Sequence, residues 1–184
     1  VVLPDATPEL DATARVRPWV DPHGDAGIVQ VSQPDFAASF QPADPGEIHK
    51  LHGEAALWLH LRLQRERSER QDWVLEFPMP VLDHVTVYQW EDGSWRGDVA
   101  GDTLPVSKWT EPGRYPFFRL DLGPGEARDI YVRLRHATAA NFPVVLETAK
   151  LHTRHQQFEY LLLGIAFGAL LLLIVGCLAK CTAY

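Results

Sequence analysis

From Leu161 to Ala179 the chain reads LLLGIAFGALLLLIVGCLA, 19 residues without a charge. As a helix this run is ~28 Å long, close to the ~30 Å hydrocarbon core of a bilayer. It is long for a buried core helix of a soluble protein. Gly164 and Gly168 give it a small-xxx-small spacing, which lets membrane helices approach closely. Everything before the run is polar, Pro-rich and strand-like. The sequence therefore predicts a folded domain tied to a lipid bilayer at its C-terminal end.

About 160 residues precede the run, enough for one domain with a sizeable core. All 24 acidic residues and all but one of the 17 Lys and Arg lie there, so this part is net acidic. That argues against nucleic acid or an anionic lipid surface as the main partner. The two cysteines, Cys177 and Cys181, fall in or beside the run, so the domain must hold together without disulfides. They have no His or further Cys nearby, which favours lipid-facing or acylated thiols over a metal site. The chain opens on Val1 with no charged-then-apolar leader, the expectation for a processed or trimmed product. Lys180 follows the run, and Lys150 and Arg154 flank its other end.

Residues 1–14 are rich in Pro, Asp and Ala without an apolar period, and read as a flexible tail. Arg15 to Val20 reads as a first strand, confined to an edge by Pro18. Asp21 to Asp25 is a turn cluster, and Gly27 to Val31 reads as a short strand. Pro34 to Phe40 suggests a helical turn, with Phe36 and Phe40 on one side. Leu57, Leu59, Leu61 and Leu63 then alternate with Trp58, His60, Arg62 and Gln64, a period of 2 that marks a strand. Arg65 to Asp72 is a highly charged turn. Trp73 to Phe77 is a strand ending at Pro78. Val85 to Trp90 and Trp95 to Val99 flank Asp92-Gly93, a hairpin signal. Phe117 to Leu122, Ile130 to Arg135 and Phe142 to Glu147 supply further strands. Short strands at regular spacing, broken by Gly/Pro turns, describe an all-β antiparallel sandwich. Leu151 to Tyr160 reads as a polar helical lead-in, with Phe158 and Tyr160 at headgroup depth.

Catalytic patterns are lacking. There is no Gly-rich phosphate loop and no GxSxG elbow, and the domain has no cysteine nucleophile. Acidic pairs such as Asp72 with Glu76, or Asp83 near Glu76, stand among scattered charges and single out no glycosidase pair. His49-x-x-His52 and His152-x-x-His155 offer too few ligands for a metal and read as solvated surface histidines. The expectation is no catalytic residue, no metal and no cofactor.

The wet side of the sheets carries more. With the leucines of residues 57–63 facing a core, Trp58, His60 and Arg62 face out. By the same parity His84, Thr86, Tyr88 and Trp90 face out, as do Tyr131, Arg133 and Arg135. Three strands thus each expose an aromatic beside a cation or a histidine. Aromatic faces stack on sugar rings and organic cations, and Arg forks hold carboxylates or phosphates. Trp58, His60, Arg62, Tyr88, Tyr131, Arg133 and Arg135 are the candidate ligand-binding residues. The same pairs can instead stabilise the sheet, covered by a loop.

The order of segments resembles a family. A DPHG turn precedes ALWLHLRL, then DWVLEFPMPVLDHVTVY, then YPFFRLDLGPGEARDIYVRLRHATAANFPVVLE, then QFEYLLLGIAFGALLLL. Running from about Val16 to Val175, this resembles the type 2 extracellular domain of bacterial seven-transmembrane receptors with diverse intracellular signalling modules. The resemblance implies a periplasmic jelly-roll sensor domain, similar to carbohydrate-binding modules, followed by the first of seven membrane helices. Trp58 and Arg62 match its strand motif. It also implies a cytoplasmic output such as a diguanylate cyclase or a histidine kinase beyond Tyr184, which makes this chain a fragment or a truncated form.

The expected organisation is a tail over 1–14, a periplasmic β-sandwich sensor over 15–150, a juxtamembrane helix over 151–160, a transmembrane helix over 161–179 and a tail over 180–184. The resemblance places the protein in a bacterial inner membrane, single pass in this chain. The expected function is sensing of a small molecule, a carbohydrate or a small anion. The alternative is a membrane-tethered module for periplasmic protein–protein interaction. Homodimerisation through the sensor or the membrane helix stays open.

Overall fold

A computed structural model describes residues 1–4, 6–42, 44–66 and 72–182. The heart of the expected charged turn (67–71) and the last two residues of the expected tail lie outside the described residues. The chain divides into two compact units, Val1–Ala149 and Lys150–Tyr184.

The first unit is an antiparallel sandwich. Its strands are β1 (Val2–Leu3), β2 (Glu9–Asp11), β3 (Arg17–Asp21), β4 (Ala56–Arg65), β5 (Trp73–Glu76), β6 (His84–Glu91), β7 (Ser94–Ala100), β8 (Phe117–Leu120), β9 (Ala127–Arg135) and β10 (Val145–Thr148). One sheet runs β1-β4-β9-β6-β7, with β3 also on β4; the other runs β2-β10-β5-β8. Every pairing is antiparallel except β1 on β4. Period-2 alternation decides which side chains go between the sheets. Leu57, Leu59, Leu61 and Leu63 of β4 meet Ile130, Val132 and Leu134 of β9 and Val85 and Val87 of β6. Trp73, Leu75, Phe118, Leu120 and Leu146 close the core from the second sheet. Each such aliphatic side chain taken from water contributes about 1.5–3 kcal/mol.

The β6–β7 hairpin turns on Asp92 and Gly93, at φ 48 and 79. Two left-handed residues match the twist of the flanking strands, which is what the Asp-Gly pair predicts. Pro18 sits on β3, an edge strand, as its missing N–H requires.

Two sequence expectations are corrected. Residues 1–14 are not a flexible tail. Leu3 and Ala12 are fully buried, β1 pairs with the end of β4, and β2 pairs with β10. Strands of two or three residues show no period, so composition alone hides them. Gly27 to Val31 is not a strand. Residues Ile28–Val31 form a single helical turn, α1, followed by a 3-10 turn over Pro34–Ser39. Four β-branched and polar residues fit either state, and packing decides.

The second unit is one continuous helix, α2 (Ala149–Thr182). It holds a stretch long and apolar enough to cross a membrane, with none of that stretch buried. Cys177 and Cys181 are free and exposed on it.

Candidate functional site

The outer face of the first sheet is where the sequence places its candidate residues, and its register sorts them into rows. Trp19, Trp58, Arg133, Thr86 and Val99 lie side by side across five strands. The next row is Arg17, His60, Tyr131, Tyr88 and Gly97. Beyond it Arg62 faces Asp129, and Trp90 faces Trp95. All seven candidates therefore share one face, as their parity predicts.

That face is not uniformly wet. Residues 22–40 cross it as a strap. Ala26, Val31 and Phe40 of the strap form a second apolar cluster with Trp58 and Tyr131, separate from the core between the sheets. Trp58 is 0% exposed and Tyr131 8%. The expectation that both aromatics face water is corrected here: parity gives the side of the sheet, not what lies over it. Beneath the strap the rings are continuous. Trp58 stacks on Tyr88 at 5.6 Å, and His60 on Tyr131 at 4.8 Å. Phe40 lies 5.4 Å from His60 and 6.1 Å from Tyr131. Gly97 packs closely under this stack: a Cβ there would meet Tyr88 Cε1 at 3.0 Å, so a larger residue would press on the Tyr88 ring.

The strap is tied at both ends. Asp21, buried, accepts from the backbone N–H of Ala26 at 2.9 Å. The Arg133 guanidinium donates to the Gly24 carbonyl at 2.7 Å. Arg17 donates to the Phe40 carbonyl at 2.7 Å. Among the described residues this face carries a cleft at each end of β9.

The first cleft, about 390 Å³, is lined by Ser32, Trp90, Trp95, Arg128, Asp129 and Tyr131 among others. Trp90 is 47% exposed. Its ring meets Trp95 edge-on at 5.2 Å, and Trp95 meets Tyr131 edge-on at 5.4 Å. The Asp129 carboxylate is held by His60 Nε2 at 2.8 Å and by Arg62 Nη1 at 3.1 Å. Burial, then the Asp129 charge, pushes the Tyr131 phenol above its ordinary value of 10.0, so it remains a neutral hydroxyl. The result is an apolar wall of rings with an acid and a hydroxyl at its foot.

The second cleft, about 320 Å³, is lined by Asp83, His84, Arg133, Arg135 and His136 among others. The seven candidates thus divide. His60, Arg62 and Tyr131 gather around Asp129 at the first cleft, Arg133 and Arg135 at the second, and Trp58 and Tyr88 stack between them. Sequence reasoning left Trp95 and Asp129 out of the candidate set and did not select Trp90. Their signals were present: Trp90 and Trp95 flank the Asp-Gly turn symmetrically, and Asp129 shares the parity of Tyr131.

A family model described as 7TMR-DISM extracellular 2 matches residues 13–148. The chain belongs to this family. No curated protein matches it. The 7TMR-DISM extracellular 2 match runs from the 3-10 turn at Thr13–Arg15 to the end of β10, so it takes in β3 to β10, the strap and both clefts, with β1 and β2 lying before it. Membership makes this an extracytoplasmic sensor domain, followed in the chain by one candidate membrane helix among the described residues.

A pH response of the 7TMR-DISM domain is expected from His84. Burial, then the charges of Arg133 and Arg135, holds its imidazole below the ordinary value of 6.5. A depressed His binds fewer protons folded than unfolded, so its contribution is complete above about pH 6.5 and is lost as pH falls through the folded-state value. His49, lowered chiefly by burial, acts in the same direction. Urea unfolding should therefore show a lower midpoint at about pH 5.5 than at about pH 7.5. The gap should narrow in His84→Gln. A midpoint that rises on acidification contradicts this account.

Proposed function

We propose that this chain is the ligand-sensing input of a receptor in a bacterial inner membrane, and that the Trp90–Trp95–Tyr131 cleft takes a carbohydrate. The carrying observation is Trp90, nearly half exposed on a rigid strand at the mouth of a cleft whose floor is aromatic. Trp90 does not stand alone: it continues the Trp95–Tyr131 ring contacts to the cleft mouth, which makes a contiguous aromatic surface on which a sugar face can stack. The cleft volume falls in the ~300–1,000 Å³ range of small-molecule sites. Sugar C–H faces stack on Trp, while hydroxyls need fixed acceptors and donors, which Asp129 and Ser32 offer. Asp129 is already oriented by His60 and Arg62, so its carboxylate is pre-organised rather than mobile.

A panel of soluble neutral mono- and oligosaccharides tests this reading on the detergent-solubilised chain. At least one should raise the thermal midpoint and change tryptophan fluorescence. Trp90→Ala should weaken its binding about tenfold or more. If no saccharide shifts the midpoint while a periplasmic protein binds through Trp90, the cleft is a protein interface and the sugar reading fails.

A further inference from the structure

The second cleft has a different chemistry. Arg133 and Arg135 alternate on β9 and point to its outer face, bordering the cleft together with His84, directly across from Arg135 on β6. Two cations side by side at a cleft wall repel each other unless an anion lies between them. The only acid lining the cleft among the described residues is Asp83, and it is already committed. Its Oδ2 accepts from the Ala137 N–H at 2.6 Å, and its Oδ1 lies 3.2 Å from His136 Nδ1. Each arginine spends one described bond through Nη2, Arg133 on the Gly24 carbonyl and Arg135 on the Glu54 carboxylate. A guanidinium has five N–H donors, so donors remain on both.

Glu54 shows what fits. Its side chain is 78% exposed, yet its carboxylate lies on Arg135. An exposed ion pair of this kind contributes at most about 1 kcal/mol, so it yields readily to a better-placed anion. We propose that this cleft binds the carboxylate of a small acid, held by Arg133 and Arg135, with Glu54 as a placeholder that the ligand displaces. It is a site separate from the sugar cleft. Asp129 and Arg135 lie six residues apart on one strand, ~20 Å along the sheet.

Titration of the detergent-solubilised chain with sodium succinate and sodium galacturonate, at ionic strength matched with chloride, tests this. At least one should raise the thermal midpoint in a saturable way. Arg135→Gln should weaken its apparent Kd about tenfold or more. Glu54→Gln, a surface change that leaves the fold intact, should tighten it several-fold. Trp90→Ala should leave the carboxylate response unchanged, so failure here and failure of the sugar reading are told apart. Inorganic phosphate binding as well as or better than both acids overturns the carboxylate assignment. No response beyond chloride, or weaker binding in Glu54→Gln, overturns the site.

Discussion

Replacing Trp58 with alanine is expected to lower folding stability by ~3–5 kcal/mol, the largest single effect on the outer face. Trp58 is fully buried, stacks on Tyr88 at 5.6 Å and belongs to the cluster under the strap. Truncation removes the ring that carries the strap and opens a cavity that β4 and β9 cannot collapse to fill. Chemical denaturation of the solubilised chain should report the loss, with the thermal midpoint falling by roughly 10 °C or more. Trp58→Phe provides the discriminating control. The indole Nε1 is buried without a partner among the described residues, so the phenyl ring gives up no hydrogen bond. Its cost should stay near that of the lost volume alone, well below the alanine variant. Equal losses in the two variants would mean that the indole nitrogen is engaged and the packing account is wrong.

Gly24→Ala should come close in size but differ in kind. Gly24 adopts φ +67, and a Cβ there would stand 1.8 Å from the Glu54 carbonyl oxygen. The left-handed backbone alone costs alanine ~1–2 kcal/mol, and the overlap with backbone has no flexible side chain to absorb it. The strap must lift, and Arg133 loses its bond to the Gly24 carbonyl. Hydrogen exchange should show residues 22–40 deprotected, while amides of β4 and β9 keep most of their protection. Both clefts should weaken together, since the strap walls one through Ser32 and orients Arg133 in the other. Unchanged protection across 22–40 would refute the role given to Gly24.

The strands were legible because burial on one face writes itself as alternation. Leu57 to Leu63 and Ile130 to Leu134 each carry four or three apolar residues at spacing 2, and the structure puts all of them between the sheets. The Asp-Gly turn was legible because only certain residues accept two successive positive φ values. The family was legible from the order of these segments. What stayed hidden depends on distant contacts. Nothing in Trp58 announces that Phe40, eighteen residues earlier, will lie over its neighbours. The strap itself reads ambiguously, since IVQV suits a strand or a helical turn equally. β1 and β2 escaped for a related reason: each is only two or three residues long, too short to show a period, and their partners lie far along the chain. The clefts follow from the strap, so the grouping of Asp129 with Trp90 and Trp95 could not be read before the cover was placed.

The separation of the two apolar clusters has a consequence for how such a sensor changes over time. The core between the sheets contains no residue of the strap, and the strap cluster draws on only a few outward side chains. On the proposed sites, recognition and architecture are therefore written in different letters of the same strands. A lineage that keeps Gly24, Ala26, Val31 and Phe40 can rewrite the rest of residues 22–40 together with Trp90, Trp95, Glu54 and Arg135, and so change the proposed preference, without touching the leucines that keep the sandwich folded. The same division makes the strap a natural cassette for anyone wishing to graft one sensor's preference onto another's frame.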